Sequence, residues 1–398
     1  MTNHSTQALA TWDETVMATY GTPSLVLEKG SGSTVWDVDG KQYIDFLAGI
    51  AVNVLGHAHP AIVDAVSQQV ATLGHTSNFA AHPQVLRLAK RLQELTDPSA
   101  RVFFSNSGAE ANEAAIKLSR MTGRTHIVSL NGGFHGRTTG ALTLTGQPTK
   151  FEPFLPLLPD VTFVEPNDVV ALREAITNKT AALWIEPILG EGGVLPLSDE
   201  FIKTAREICD ATGALLVVDE VQTGIARTGT MFAYQQFGIT PDVLLLAKGL
   251  GGGLPIGACI GFGSAASMLT AGQHGSTFGG NPISTAAANA VLDVVESEHL
   301  KQRAIELEAT IREALEGING VDHVRGRGLM LGVVLTHECG ADVVAIAREN
   351  GLIVNSPAPN VLRLVPPLTI SHEELNQGLQ ILNKAIEQAT SNVVGVSS

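Results

Sequence analysis

Six short, almost continuous apolar segments between residues 102 and 247 constrain the fold of this chain more than any other feature. Amphipathic stretches at Gly108–Met121 and Glu200–Thr212 lie between them and have the apolar spacing of helices. Apolar runs without polar alternation are typical of strands buried on both faces. Such strands alternating with helices predict an α/β fold with a mostly parallel sheet covered on both sides. The predicted strands are Val102–Phe104, His126–Leu130, Val161–Val164, Ala181–Ile185, Ala214–Val218 and Val243–Ala247.

The C-terminal part of the chain follows a different pattern, which predicts a smaller α+β unit. A helix near Ala341–Asn350 precedes short strands at Leu352–Asn355 and Val361–Val365, and a capping box at 371–374 begins a final helix. A chain of 398 residues is also long for one core. We therefore expect an N-terminal segment (1–50) that joins the small unit through strands around 34–46, a large domain (51–285) and a C-terminal small α+β domain (286–398).

The composition opposes several classes of partner. A formal net charge of −14 opposes binding to nucleic acid, because a phosphate backbone requires clustered lysines and arginines. No apolar run is long enough to span a membrane, and the N-terminal segment has no secretory signal. Three cysteines without a C-x-x-C spacing predict a reducing, cytoplasmic location, with neither a disulfide framework nor a zinc or other metal site.

Charged residues directly follow three of the predicted strands. Glu186 follows Ala181–Ile185, Asp219 follows the strand that ends at Val218, and Lys248 follows Val243–Ala247. Ligands of open parallel sheets bind beyond the carboxyl ends of the strands. A single charge after a strand is usually a solvated loop residue, but three of them on consecutive central strands, with glycine-rich flanks, favour a common site.

Lys248 lies between an apolar strand and the glycine-rich segment 249–257, where its amine is poorly hydrated. Poor hydration lowers the pKa of a lysine amine and frees it for Schiff-base chemistry. A buried Asp219 needs a positive partner. The protonated pyridine nitrogen of pyridoxal 5′-phosphate (PLP) is such a partner, and its protonation makes the ring an electron sink. Gln222 is spaced to donate to the phenolate oxygen of that ring. The patterns G-x-x-x-x-G-K-[ST] and G-x-G-x-x-G are absent, which opposes a phosphate-loop nucleotide site and a dinucleotide fold.

A phosphate-binding site is predicted at Ser107-Gly108-Ala109-Glu110, where a strand leads into a helix. A helix N-terminus presents free N–H groups and the positive end of its dipole to an anion. The alternative is an ordinary capped helix, which has the same S-x-x-E pattern.

Two glycine-rich polar loops supply further candidates. In the segment 132–138, Phe134 is suited to stack on a ring and Arg137 to bind a substrate carboxylate. In the segment 274–282, the hydroxyls of Ser276 and Thr277 suit phosphate oxygens. In isolation, His135 would more often be a packed core residue, Arg137 a surface ion pair and the second loop a simple turn.

Together these segments closely resemble the class III (ω-amino-acid) aminotransferases of PLP fold type I, the aspartate-aminotransferase-like fold. That fold has a large domain with a mostly parallel seven-stranded sheet and a smaller α+β domain. The resemblance extends over nearly the whole chain, from 20–23 to 363–367, and is most specific in the segment Val217–Gly224 and around Lys248. Within the family, the segments 105–113, 134–138 and 275–282 are most similar to the subgroup that acts on N2-acetyl-L-ornithine.

The resemblance implies roles at the cofactor. Lys248 would carry PLP as a Schiff base and shuttle the proton, and Asp219 would bind the pyridine nitrogen. Phe134 would stack on the ring. Thr277 would reach the phosphate in the partner subunit, so that a homodimer would share its active sites. The other residues expected at the cofactor are Ser107, Gly108, Ala109, Glu220, Val221 and Gln222.

The resemblance also implies residues for the substrates N2-acetyl-L-ornithine, 2-oxoglutarate and L-glutamate. Arg137, with Ser276 near it, would hold the α-carboxylate of the acylated substrate, and Tyr20 would line the same pocket. Arg363 would bind a carboxylate of 2-oxoglutarate or glutamate, and Glu191 would pair with Arg363 while that anion is absent. Glu186 is expected to be structural by comparison.

The expected reaction is a ping-pong transfer of the δ-amino group of N2-acetyl-L-ornithine to 2-oxoglutarate, in arginine biosynthesis. Ile50 favours the acylated substrate, because similar ornithine aminotransferases tend to have a tyrosine there, although 4-aminobutyrate aminotransferases also have aliphatic residues. Ornithine, 4-aminobutyrate and succinyl-diaminopimelate stay alternative substrates. A PLP aminomutase has no need to admit an external dicarboxylate, so Glu191 and Arg363 oppose that class, and an intact Lys248 opposes a non-catalytic binding protein.

Overall fold

The computed structural model describes residues 3–396. The helices are α1 (Asn3–Thr15), α2 (Ala48–Ala51), α3 (Pro60–Thr72), α4 (Pro83–Leu95), α5 (Gly108–Arg120), α6 (Thr139–Leu144), α7 (Pro148–Phe151), α8 (Val169–Ala175), α9 (Asp199–Thr212), α10 (Pro282–Ser297), α11 (Leu300–Leu315), α12 (Gly340–Glu349) and α13 (His372–Val396). The strands are β1 (Leu27–Ser31), β2 (Thr34–Asp37), β3 (Gln42–Asp45), β4 (Arg101–Ser105), β5 (His126–Leu130), β6 (Val161–Val164), β7 (Thr180–Ile185), β8 (Ile188–Leu189), β9 (Leu195–Pro196), β10 (Leu215–Asp219), β11 (Val243–Leu246), β12 (Gly257–Gly261), β13 (Val321–Arg327), β14 (Met330–Leu335), β15 (Leu352–Ile353), β16 (Asn355–Ala358) and β17 (Val361–Leu364).

A seven-stranded sheet with the order β4-β12-β11-β10-β7-β5-β6 forms the centre of the molecule. Its strands are parallel except β12, which is antiparallel to both of its neighbours. All six predicted strands belong to this sheet, which confirms the predicted α/β class. The sequence gives no strand signal for β12, because Gly-Ala-Cys-Ile-Gly contains only one large apolar side chain.

Both faces of the sheet are buried, and β10 shows how. Leu215 and Val217 belong to the apolar cluster that contains the α5 side chains. Leu216 and Val218 belong to the main core, which includes Phe201 of α9. Successive strand residues point to opposite faces, so a strand covered on both sides needs apolar residues at every position. This arrangement explains the continuous apolar runs in the sequence.

The N-terminal strands pair with a strand from the C-terminal part of the chain. A four-stranded sheet has the order β1-β2-β3-β15, with Leu352 of β15 opposite Ile44 of β3. A second, antiparallel sheet has the order β13-β14-β17-β16 and carries the segment predicted at Val361–Val365. The domain boundaries at residues 50 and 285 stay a prediction. Between residues 3 and 396, no helix is long and apolar enough to cross a membrane.

Candidate active site

A cleft of about 410 Å³ lies at the carboxyl ends of β7, β10 and β11. These strands are neighbours in the sheet, and the residues that end or follow them, Glu186, Asp219 and Lys248, all line the cleft. The structure therefore places the three strand-end charges in one cleft. The other predicted site residues that line it are Ser107, Gly108, Ala109, Phe134, Arg137, Glu191, Val221 and Gln222.

Lys248 is the buried amine of this cleft. Burial, together with the positive charge of Arg363, lowers the pKa of its amine to about 8. The φ angle of Lys248 is 41°, in the left-handed region that non-glycine residues rarely adopt. A lysine with this pKa exchanges a proton readily near neutral pH and is nucleophilic in its neutral form.

Asp219 is held by hydrogen bonds from three elements. Its Oδ2 accepts from Nδ2 of Asn112 at 2.9 Å and lies 2.8 Å from Nδ1 of His135, while its Oδ1 accepts from the backbone N–H of Val221 at 3.0 Å. Oδ1 of Asn112 in turn accepts from Nε1 of Trp184 at 2.9 Å. Asp219, Asn112, His135 and Trp184 are all buried. The carboxylate is thus oriented towards the cleft by a fixed hydrogen-bond network.

His135 and Glu186 add two further titratable groups. Burial alone would lower the pKa of His135, but the hydrogen bond and charge of Asp219 raise it above its ordinary value. Burial raises the pKa of Glu186 to about 7, although its carboxylate accepts from the N–H groups of Phe134 and Gly190. The expectation that Glu186 is structural is therefore incomplete, because the side chain both fixes the loop at Phe134 and lines the cleft.

The start of α5 fits a phosphate group. The Oγ of Ser107 caps the helix by accepting from the N–H of Glu110 at 3.2 Å, and the Glu110 carboxylate accepts from Asn106. Within the described residues, the N–H groups of Gly108 and Ala109 have no hydrogen-bond partner, and both residues line the cleft. A Cβ atom on Gly108 would lie only 2.9 Å from the Val221 side chain, so this helix start requires glycine.

Arg363, on β17, is buried and does not line the cleft itself, but it contacts Glu191 and Gln222, which do. Its Nη1 donates to Oε1 of Glu191 at 2.5 Å and to Oε1 of Gln222 at 3.3 Å, and its Nε donates to Oδ1 of Asn355 at 3.2 Å. The guanidinium is buried, whereas the Glu191 side chain is 24% exposed. Burial alone would raise the pKa of Glu191, but the charge and hydrogen bond of Arg363 lower it below its ordinary value. The structure thus brings together the two residues that the sequence analysis expects to pair.

Phe134 and Arg137 form the rim of the cleft. The Arg137 guanidinium lies 5.7 Å from the centre of the Phe134 ring and is exposed. The ammonium of Lys150 lies 4.7 Å from the same ring and 3.9 Å from Oε2 of Glu191. An exposed guanidinium can receive a carboxylate in bidentate geometry without a large desolvation cost.

Five predicted residues do not line this cleft: one is Arg363, which reaches it only through Glu191 and Gln222, and the other four lie elsewhere. The Glu220 carboxylate points into the core, where it accepts from the N–H groups of Ala233 and Tyr234, and burial raises its pKa to about 7. Ser276 and Thr277 line a separate surface groove of about 670 Å³, and Tyr20 is 88% exposed. Contact of Glu220 with a ligand in the cleft is therefore not supported. Ile50 also does not line the cleft, whereas Val52 does.

Asn112 and Lys150 are two residues of the site that were not predicted from the sequence. Asn112 follows Gly108 by one helical turn and therefore lies on the same face of α5, a signal that was available in the sequence. Lys150 is brought to Glu191 only by the path of the chain through α6 and α7, and no local pattern marks it. Between residues 3 and 396, no group of His, Cys, Asp and Glu side chains has the arrangement of a metal site.

The residues present fit PLP, because a buried low-pKa lysine, a buried oriented carboxylate and free N–H groups at a helix start face one cleft. The family model described as aminotransferase class-III matches residues 16–386. The acetylornithine aminotransferase of Mycobacterium tuberculosis (strain ATCC 25618 / H37Rv) is 54% identical over 382 residues, which cover 95% of this chain and 96% of that protein. The acetylornithine aminotransferase of Streptomyces coelicolor is 53% identical over 388 residues, or 96% of each chain.

Solved structures agree with this assignment. The N-acetylornithine aminotransferase of Stenotrophomonas maltophilia K279a superposes with a TM-score of 0.82 at 38% identity and covers 94% of this chain and 99% of its own. The ornithine aminotransferase of Toxoplasma gondii, whose active site holds PLP at partial occupancy, superposes with a TM-score of 0.92 at 33% identity. The match covers 97% of this chain and 95% of that chain. The predicted family and fold type are thereby confirmed, and the chain belongs to the class III aminotransferases, a family of PLP-dependent enzymes.

Proposed function

We propose that this enzyme transfers the δ-amino group of N2-acetyl-L-ornithine to 2-oxoglutarate, giving N-acetyl-L-glutamate 5-semialdehyde and L-glutamate, as a step of arginine biosynthesis. The ion pair between buried Arg363 and Glu191, which lines the cleft, carries this proposal. Two relatives that share more than half of their residues with this chain are acetylornithine aminotransferases, which supports the choice of substrate.

The ion pair of Arg363 and Glu191 meets a chemical requirement of this amino-group transfer. The same pocket must accept the neutral chain carbon next to a δ-amine and, in the second half of the cycle, a carboxylate of 2-oxoglutarate or glutamate. Glu191 neutralises Arg363 for the first substrate and must release it for the second. Arg137, exposed at the rim, binds the carboxylate that both substrates carry at the opposite end.

The cofactor is held by residues from four parts of the chain. Lys248 binds it covalently, Asp219 pairs with its ring nitrogen, Phe134 packs on its ring, and the N–H groups of Gly108 and Ala109 bind its phosphate. When bound, PLP acts as an electron sink for the carbon that loses a proton. We assign Gln222 to the phenolic oxygen, and its contact with Arg363 links the cofactor and substrate parts of the cleft.

Lys248 moves the proton in this scheme. With a pKa of about 8, roughly a tenth of the amine is neutral at neutral pH, so it both accepts and releases protons under working conditions. Asp219 keeps the ring nitrogen protonated, because its oxygens are fixed by Asn112, His135 and the Val221 N–H group. Glu186 restrains the loop that carries Phe134.

A homodimer is part of the proposal. Thr277 is exposed beside Phe278 and Phe79, which are 60% and 102% exposed. Large exposed aromatic side chains beside a groove are typical of interaction surfaces. We assign Thr277 to the phosphate of the partner subunit's cofactor and Ser276 and Tyr20 to the shared substrate pocket. A cytoplasmic location stays a prediction.

A substrate panel tests the function. We expect kcat/KM for N2-acetyl-L-ornithine to exceed the values for L-ornithine and 4-aminobutyrate, with 2-oxoglutarate as acceptor. A preference for free ornithine or 4-aminobutyrate would overturn the assignment. Turnover of succinyl-diaminopimelate would reveal a second activity of the same pocket.

A further inference from the structure

Two cations contact the two oxygens of the Glu191 carboxylate. Oε1 accepts from Arg363, and Oε2 lies 3.9 Å from the ammonium of Lys150. Within the described residues, Glu191 is the only carboxylate within 4 Å of Lys150. Arg363 is buried, whereas the side chains of Lys150 and Glu191 are 22% and 24% exposed. Glu191 therefore lies between a buried cation and a cation near the mouth of the cleft.

The proposed function requires Glu191 to leave Arg363 whenever a substrate carboxylate binds there. A displaced carboxylate that stayed beside the incoming anion without a partner would repel it and would pay a desolvation penalty. Three other cations lie in the cleft or beside Glu191. In the proposed scheme, Lys248 binds the cofactor and Arg137 binds the opposite substrate carboxylate. Lys150 has neither of these tasks.

Lys150 is also held in place for this role. It belongs to the short helix α7, and its ammonium lies over the Phe134 ring at 4.7 Å. A cation–π contact limits the freedom of the lysine side chain, so that less entropy is lost when a carboxylate binds. Burial lowers the pKa of Lys150, as do the charges of Arg137 and Arg363, whereas Glu191 raises it. Closer approach of the Glu191 carboxylate therefore favours the charged form of Lys150.

We infer that Lys150 is the second partner of Glu191: it binds the Glu191 carboxylate while Arg363 holds the carboxylate of 2-oxoglutarate or glutamate. Lys150 is then a specificity-determining residue that acts through Glu191 and not by touching the substrate. It stabilises the state that accepts a dicarboxylate relative to the state that accepts the acylated δ-amine. This inference rests on the proposed function for its substrates, but its test does not require turnover.

Equilibrium binding of glutarate, a five-carbon dicarboxylate without a keto group, to the holoenzyme measures the effect directly. We expect Lys150→Met to raise the Kd of glutarate about fivefold, as for loss of one partly exposed ion pair. Lys150→Arg, which keeps the charge, should stay within about twofold of the wild-type enzyme. Lys203→Met, at an exposed lysine of α9, is the matched control. Thermal unfolding and the visible absorbance of bound PLP check that each variant is folded and loaded.

A double-mutant cycle separates the inferred role from direct binding. In a Glu191→Gln enzyme the displaced side chain no longer needs a cation, so adding Lys150→Met should leave the glutarate Kd unchanged. An equal loss in both backgrounds would mean that Lys150 contacts the ligand itself and would overturn the inference, as would a Lys150→Met enzyme with wild-type affinity. If N2-acetyl-L-ornithine fails as amino donor while the cycle behaves as expected, the proposed function fails and the inference stands for another amine.

Discussion

Replacement of Asn112 by leucine tests whether the hydrogen-bond network behind Asp219 holds the cofactor site together. The change removes a hydrogen bond to the Asp219 carboxylate and leaves Nε1–H of Trp184 buried without an acceptor. A hydrogen bond to a charged group contributes about 1.5–3 kcal/mol, and an unsatisfied buried donor costs about 1–3 kcal/mol. The apolar volume of leucine offsets part of this loss, by about 1–2 kcal/mol. We therefore expect Asn112→Leu to lower the free energy of unfolding by about 2–4 kcal/mol.

The cofactor reports on the same network. Loss of the Asn112 hydrogen bond should weaken PLP binding, but Asp219 keeps its contacts with His135 and the Val221 N–H group. We therefore expect the Kd of PLP to rise only about tenfold, which corresponds to about 1.4 kcal/mol. Urea unfolding followed by circular dichroism gives the stability, and titration of apoenzyme with PLP gives the affinity. Trp184→Phe removes the indole N–H together with part of the buried ring. Because the two single variants share the loss of the Asn112–Trp184 hydrogen bond, the double variant should lose less than the two single losses together. An Asn112→Leu enzyme with unchanged unfolding and unchanged PLP affinity would refute the reasoning.

Three further predictions concern the cleft and the proposed subunit interface. Arg363→Ala should lower kcat/KM of the 2-oxoglutarate half-reaction about a hundredfold, because a buried charge-assisted contact with the substrate carboxylate is lost. The N2-acetyl-L-ornithine half-reaction should lose less. Equal losses of the two half-reactions in single-turnover kinetics would contradict the role of Arg363. Covalent capture of added PLP by apoenzyme should accelerate with pH up to about 8 and then level off, since only the neutral Lys248 amine attacks and its fraction falls tenfold per unit below that pKa. A rate independent of pH, followed by visible absorbance, would show that another step limits capture. If the proposed dimer forms, Thr277→Ala should raise the Kd of PLP about fivefold without changing the mass of the assembly in analytical ultracentrifugation. An unchanged affinity would argue against the proposed phosphate contact by the partner subunit.

The sequence alone determined the central features of the site, because they depend on local patterns. Continuous apolar runs identified strands buried on both faces, and the carboxyl ends of parallel strands meet at one edge of a sheet. The positions of Glu186, Asp219 and Lys248 followed from these two rules. The helix start at Gly108 could also be predicted from the sequence, because a serine cap and a glycine mark a helix N-terminus locally. The resemblance to the family added the individual roles of the residues around the cofactor and the pairing of Glu191 with Arg363.

The tertiary structure decided what depends on contacts between distant segments. Glu220 adjoins Asp219 in the chain, but its carboxylate binds N–H groups in the core instead of lining the cleft, because successive residues of an extended chain point in opposite directions. The network of Asn112 and Trp184 forms because α5 packs on the face of β7 that carries the indole. Lys150 reaches Glu191 only because the fold brings α7 close to the segment that carries Glu191. Local rules give the helix face of Asn112 and the opposite directions of Asp219 and Glu220, but not the partners of these side chains, since only packing brings those partners together.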